Sequence, residues 1–138
     1  MTSTQKNKTI TTLLAVLTGS IGGHRFYLHG KNDKWGWLHF ISLPISLIIG
    51  HFFFGQPGLV IYCPLVLSFL ISLLEALIIG LTPDEKWDAQ HNPNADYPSE
   101  SSWPLALILV FTVGFGAIAL IGTIARAFDL FYTGGAYG

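Results

Sequence analysis

At 138 residues, 51% of them hydrophobic and 11% charged, with a mean hydropathy of +0.52, the chain carries more apolar surface than a water-soluble fold of this size can bury. Its net charge of −1 comes with only seven Lys and Arg, scattered along the sequence, so no basic stripe for a nucleic acid is present. The single cysteine, Cys63, lies in an apolar run and excludes an intramolecular disulfide or a multi-cysteine metal site.

The first apolar stretch, Thr9 to Leu28, follows Lys6 and Lys8 and imitates a signal peptide. Thr18, Gly19 and Ser20 form no A-x-A cleavage site, however, and the chain runs on into a charged aromatic motif, so the stretch reads as a retained membrane segment. Its purely apolar part ends near Gly23, which leaves two options: it spans, or it dips into the bilayer and returns. Gly19 and Gly23 make a G-x-x-x-G step, which suits close helix packing, with Gly22 beside them. A polar turn, Gly30 to Lys34, leads to the second stretch, Trp35 to Phe54. Gly55-Gln56-Pro57-Gly58 closes a helical hairpin onto the third, Gly58 to Leu81. Each stretch has about the 20 residues that a helix needs to cross a hydrocarbon core.

Thr82 to Ser102 is rich in proline and acidic residues and reads as a solvated loop. Within it Thr82-Pro83-Asp84-Glu85 predicts a short helix to about Gln90, with Thr82 as N-cap and Trp87 at headgroup level. The fourth stretch, Trp103 to Tyr132, carries Gly114, Gly116 and Gly122, a face that wants a close neighbour in this chain or in another copy. Trp35, Trp37, Trp87 and Trp103 all fall at segment ends or in loops, as interfacial anchors do. The predicted fold class is therefore all-α, a polytopic integral membrane bundle of about four apolar helices. Lys and Arg counted over the short loops put 29–34 and 82–102 in the cytoplasm; a spanning first segment would leave Lys6 and Lys8 outside, a conflict that a re-entrant one removes.

The run Gly22, His24, Arg25, Phe26, Tyr27, Leu28 and Gly30, followed by a hydrophobic hairpin bearing Glu75, resembles the TM2 domain family. Glu75 stands where the family usually has aspartate, and His29 stands where it often has glycine. The resemblance implies a TM2-like domain over residues 1–81; the chain continues with the polar loop 82–102 and an additional transmembrane helix with a short tail over 103–138, a helix that lies outside the resemblance. The run Thr82 to Pro93 looks like the tail of a bacterial subgroup, which implies a bacterial inner membrane. The family implies architecture rather than a reaction.

An ionisable side chain within a membrane segment needs a partner or a water-filled path, so Arg25 and Glu75 are the residues of interest. Glu75 lies six residues before Leu81, about 9 Å from the segment end, too deep for its short stem to reach water. An ion pair of Arg25 with Glu75, helped by His24, is the expectation, against snorkelling for Arg25. Of the five histidines, His24, His29, His39, His51 and His91, no two have the i, i+4 spacing of a helical metal site. Arg126 and Asp129 neutralise one another at i, i+3. Asp84, Glu85 and Asp88 serve capping and solubility, and no nucleophile stands beside a base. These residues point to no enzyme, cofactor or metal. The leading expectation is a non-catalytic module partnered by the lipid bilayer and by a second copy or another membrane protein; the alternative is a small transporter or proton-conducting subunit using Glu75.

Overall fold

The structure, a computed structural model, describes residues 5–137; residues 1–4 and 138, the outermost parts of the first and last predicted domains, lie outside it. The described residues are helical: α1 (Lys8–Thr18), a 3-10 turn (Gly19–Ile21), α2 (Gly23–His29), α3 (Lys34–Phe52), α4 (Gly58–Ile61), α5 (Cys63–Leu81), α6 (Asp84–His91) and α7 (Trp103–Thr133). Three of them, α3, α5 and α7, are long and apolar enough to cross a membrane.

The first segment folds back on itself, as a re-entrant segment would. Asn7 caps α1 by accepting from the Ile10 N–H, and the helix buries Thr11, Thr12 and Ala15 against the bundle. At Gly22 the backbone takes φ +81°, which an L side chain rarely adopts, and the chain reverses there into α2. The end of α2 thereby returns to the start of α1: Lys6 Nζ donates to the Tyr27 carbonyl at 2.7 Å, and the Asn7 N–H donates to the Tyr27 hydroxyl at 3.2 Å. Both termini of the segment thus lie at one end of the bundle, together with the end of α5, where Lys8 Nζ donates to the Thr82 carbonyl at 2.8 Å. Lys6 and Lys8 consequently share a face with Arg25, Lys31, Lys34 and Lys86.

This reversal corrects the reading of Gly19 and Gly23 as one helical G-x-x-x-G face, because the helix is broken between them. Gly19 packs against Ser72 of α5, where an added Cβ would come within 2.4 Å of the Ser72 Cβ. Gly22 abuts the Gly36 backbone of α3, and Gly23 abuts Thr18 within its own segment. On α7, Gly116 is in ordinary contact with Leu73, whereas Gly114 and Gly122 have nothing within 4 Å, so among the described residues they pack no neighbour.

α3 and α5 form the predicted hairpin, with Pro64 in the first turn of α5, where its missing N–H costs nothing. α7 runs antiparallel to α5, Leu109 lying over Gly80 and Phe115 against Phe69. The interior is small or polar (Thr11, Thr12, Ala15, Ser42, Ser46, Ser68, Ser72, Ala76), while Leu, Ile and Phe side chains crowd the outside. That inversion suits a hydrocarbon solvent, in which apolar side chains gain nothing by burial and close packing favours small residues.

α6 departs from expectation in two ways. It starts at Asp84, because the Thr82 hydroxyl donates back to the Ile78 carbonyl instead of capping, and it ends at His91. Trp87 faces neither lipid nor water: it is 1% exposed, and its indole N–H donates to the Lys6 carbonyl at 3.1 Å, because α6 folds over the residues that precede α1. Trp35, Trp37 and Trp103 are exposed. At the far end of α7, Arg126 donates to Asp129, whose carboxylate also takes the Thr133 hydroxyl and the Tyr137 N–H, closing the helix terminus.

Candidate functional site: a charged cluster between the helices

Five charged or titratable side chains, from α2, α5 and α3 with its N-cap, converge where α2 meets α3 and α5. Arg25 Nη1 donates to Glu75 Oε1 at 2.6 Å, and Arg25 Nε donates to Asp33 Oδ2 at 2.7 Å. Asp33 in turn caps α3 by accepting from the Gly36 N–H at 2.8 Å. The second Glu75 oxygen, Oε2, lies 2.9 Å from His24 Nε2 and 3.1 Å from His39 Nε2. His24 and His39 meet edge to face with ring centroids 5.9 Å apart. His24 is 1% exposed, while Arg25 and Glu75 each keep a fifth of their side-chain surface.

The network continues inward from His39. Its Nδ1 lies 2.7 Å from Ser68 Oγ, and the Ser68 hydroxyl donates at 2.7 Å to the carbonyl of Ser20, at the tip of the re-entrant segment. Ser42 donates to the His39 carbonyl at 2.6 Å. Two cavities flank the cluster. One, of about 500 Å³, lies under α6 and is lined by His24, Arg25, His29, Glu75, Trp87 and His91; the other, of about 510 Å³, opens between α3 and α5 beside Arg25, Trp35, His39, Ser42, Ser68 and Glu75.

Burial opposes ionisation of Asp33, but the Arg25 guanidinium and the Gly36 N–H outweigh it and hold the carboxyl below its usual range. At the same end a second polar knot fixes the N-terminal strand: Lys8 pairs with Asp84, Asn92 exchanges hydrogen bonds with both backbone groups of Lys6, and Asp88 accepts from the Ser99 N–H at 2.6 Å. His29 and His91 meet across the seam between α2 and α6, with ring centroids 6.0 Å apart.

The structure brings together Arg25, Glu75 and His24. Of the remaining motif residues, Phe26 packs on Gly36 and against Trp37, the Lys6 ammonium stands 4.7 Å over the Tyr27 ring, Leu28 lines the cavity under α6, and Gly30 ends α2 with φ +76°. Asp33, His39 and Ser68 are cluster members that the sequence reading did not single out. Their signal lies in two stripes: Gly36, His39, Ser42 and Ser46 on α3, and Ser68, Ser72, Glu75 and Ala76 on α5, small or polar at helical spacing in otherwise apolar segments. Among the described residues no three His, Cys, Asp or Glu side chains are grouped to hold a metal ion.

Compared with known proteins, residues 4–78 match the family model described as the TM2 domain, which is more than half of the chain. No curated protein and no solved structure matches.

Proposed function

This chain belongs to the TM2 domain family, and from that membership and the closed charged cluster we propose a non-catalytic membrane module that packs against or regulates another membrane component. The observation that carries the reading is the occupancy of Glu75: Oε1 takes Arg25, and Oε2 takes two imidazoles, so both oxygens are engaged by side chains of α2 and α3. A carboxylate whose two oxygens are both held by side chains of neighbouring helices locks those helices together; a carrier of protons needs an oxygen free to exchange partners. Residues 5–81 with loop 82–102 form the locked body, and the outer side of α7, with Gly114 and Gly122 unfilled, is the surface offered to a second copy or another membrane helix. Six of the seven Lys and Arg gather at one end of the bundle, which supports a cytoplasmic placement of that end in a bacterial inner membrane.

The second reading, a proton-conducting subunit using Glu75, draws on the two cavities that reach the cluster from different sides. Proton flux into vesicles reconstituted with the purified protein separates the two. The module reading expects the leak of protein-free vesicles. A larger flux that Glu75→Gln abolishes while the protein stays folded would establish the conducting role instead.

A further inference from the structure

Each short polar contact in the cluster needs one hydrogen between its two heavy atoms, and these hydrogens can be counted. The Ser20 carbonyl has none, so the Ser68 hydroxyl hydrogen lies on the 2.7 Å line to Ser20. Ser68 Oγ must then accept from His39, which places a hydrogen on His39 Nδ1. On the other side of the cluster His24 Nδ1 is buried without a partner, so the hydrogen of a neutral His24 belongs on Nε2, facing Glu75; a bare lone pair at Nδ1 costs less than a buried N–H with no acceptor. Arg25 at 2.6 Å and His24 at 2.9 Å both donate to Glu75, and a cationic donor that close favours the carboxylate over the acid. The 3.1 Å contact from His39 Nε2 to Glu75 Oε2 still lacks a hydrogen, and His39 is the group left to supply it.

We propose that the cluster binds one resident proton on His39, an imidazolium that donates through Nδ1 to Ser68 and through Nε2 to Glu75. Charge balance independently requires one such proton in the cluster. The groups that face His39 are His24 and Arg25 from α2, Glu75 and Ser68 from α5 and the Ser20 carbonyl from the turn, with Asp33 joined through Arg25. Arg25 and His39 as cations against Asp33 and Glu75 as anions sum to zero, and a net charge within a membrane is what the bilayer penalises most. The proton thus completes the bridge from the tip of the re-entrant segment, through α3, to α5. This inference rests on the cluster being a closed lock, and it is tested separately from flux.

The test is nitrogen-15 histidine spectroscopy of the full chain in lipid nanodiscs, with His29, His51 and His91, none of them in the cluster, replaced by Gln so that only His24 and His39 report. At neutral pH His39 is expected to show both ring nitrogens protonated, and His24 one protonated and one bare. A bare nitrogen on His39 overturns the proposal, whether its hydrogen is found on the Glu75 carboxyl or is absent. Glu75→Gln should shift His39 to the neutral pattern; an imidazolium that persists in the folded variant counts against Glu75 as its partner, and if the variant does not fold the unsubstituted spectrum decides alone. Flux without an imidazolium would refute the proton site and the lock together, whereas neither flux nor imidazolium would refute the proton site only.

Discussion

At the scale of residues, the cluster is a set of mutual obligations. Removing the Arg25 guanidinium leaves Glu75 and Asp33 with lost donors, and removing the Glu75 charge leaves Arg25 and two imidazoles facing a weaker acceptor. Arg25→Gln and Glu75→Gln are each expected to cost about 1 to 3 kcal/mol, below the range for fully buried pairs because both side chains keep some exposure. The double substitution should cost less than the sum, and a double-mutant cycle on detergent stability measures that coupling; strict additivity would remove the pair from the account. Arg25 and Glu75 were legible in the sequence because the bilayer makes an ionisable residue conspicuous. His39 was not. Linear spacing relates residues on one helix, whereas His39 reaches Glu75 across a helix pair, and the polar stripe around it is visible only once α3 and α5 are given their facing sides.

At the scale of elements, the reversal at Gly22 does most to shape the fold. Gly22→Ala places a side chain at φ +81° and within 2.5 Å of the Gly36 carbonyl, so it should destabilise the protein by more than about 2 kcal/mol. Gly114→Ala meets open space on a regular helix and should be neutral or stabilising by about 0.5 to 1 kcal/mol. Equal detergent stabilities of the two variants would contradict this. The sequence showed that the first segment was weak and rich in glycine, but glycine permits both a straight packed helix and a sharp turn. What decides is the contact with Gly36, a backbone meeting that composition does not encode.

The seam under α6 gives a prediction in pH. Burial, His29 and Lys6 hold the His91 imidazole below its ordinary range, so an unfolded chain protonates it first and stability is lost as pH falls below about 6.5. Burial opposes ionisation of Asp84, but Lys8 and Ser101 outweigh it, and Ser99 lowers Asp88; the stability these carboxylates supply is present above about pH 3.8 and lost below it. Acid should therefore release α6 in two steps. With Trp35, Trp37 and Trp103 replaced by Phe, the emission of Trp87 should shift to the red in both, and His91→Gln should abolish the first. A single step unchanged by His91→Gln would refute the assignment.

At the scale of the whole molecule, the folded-back first segment puts Gln5, Asn32 and Asn94 at one end of the bundle and Gln56 at the other. With Cys63 replaced by Ala, single cysteines at the first three positions should resist a membrane-impermeant reagent in intact cells, while Gln56→Cys should react. Labelling of Gln5→Cys alone among the three would mean that the first segment spans after all. α7 adds a feature of its own: its 31 residues extend about 46 Å, beyond a hydrocarbon core of about 30 Å, so it tilts or projects. The dipping segment has a further consequence. α1, at 11 residues, reaches about 16 Å, roughly one leaflet deep. One leaflet therefore accommodates five helical segments, α1, α2, α3, α5 and α7, and the other only three. That arrangement should make the protein a wedge, broad at the end that carries the charges, and a wedge prefers a membrane bent to suit it. In vesicles small enough for the outer leaflet to be stretched, the broad end should turn outward, so that most copies of Asn32→Cys react with the impermeant reagent. In large, nearly flat vesicles that preference should fade toward equal numbers of each orientation.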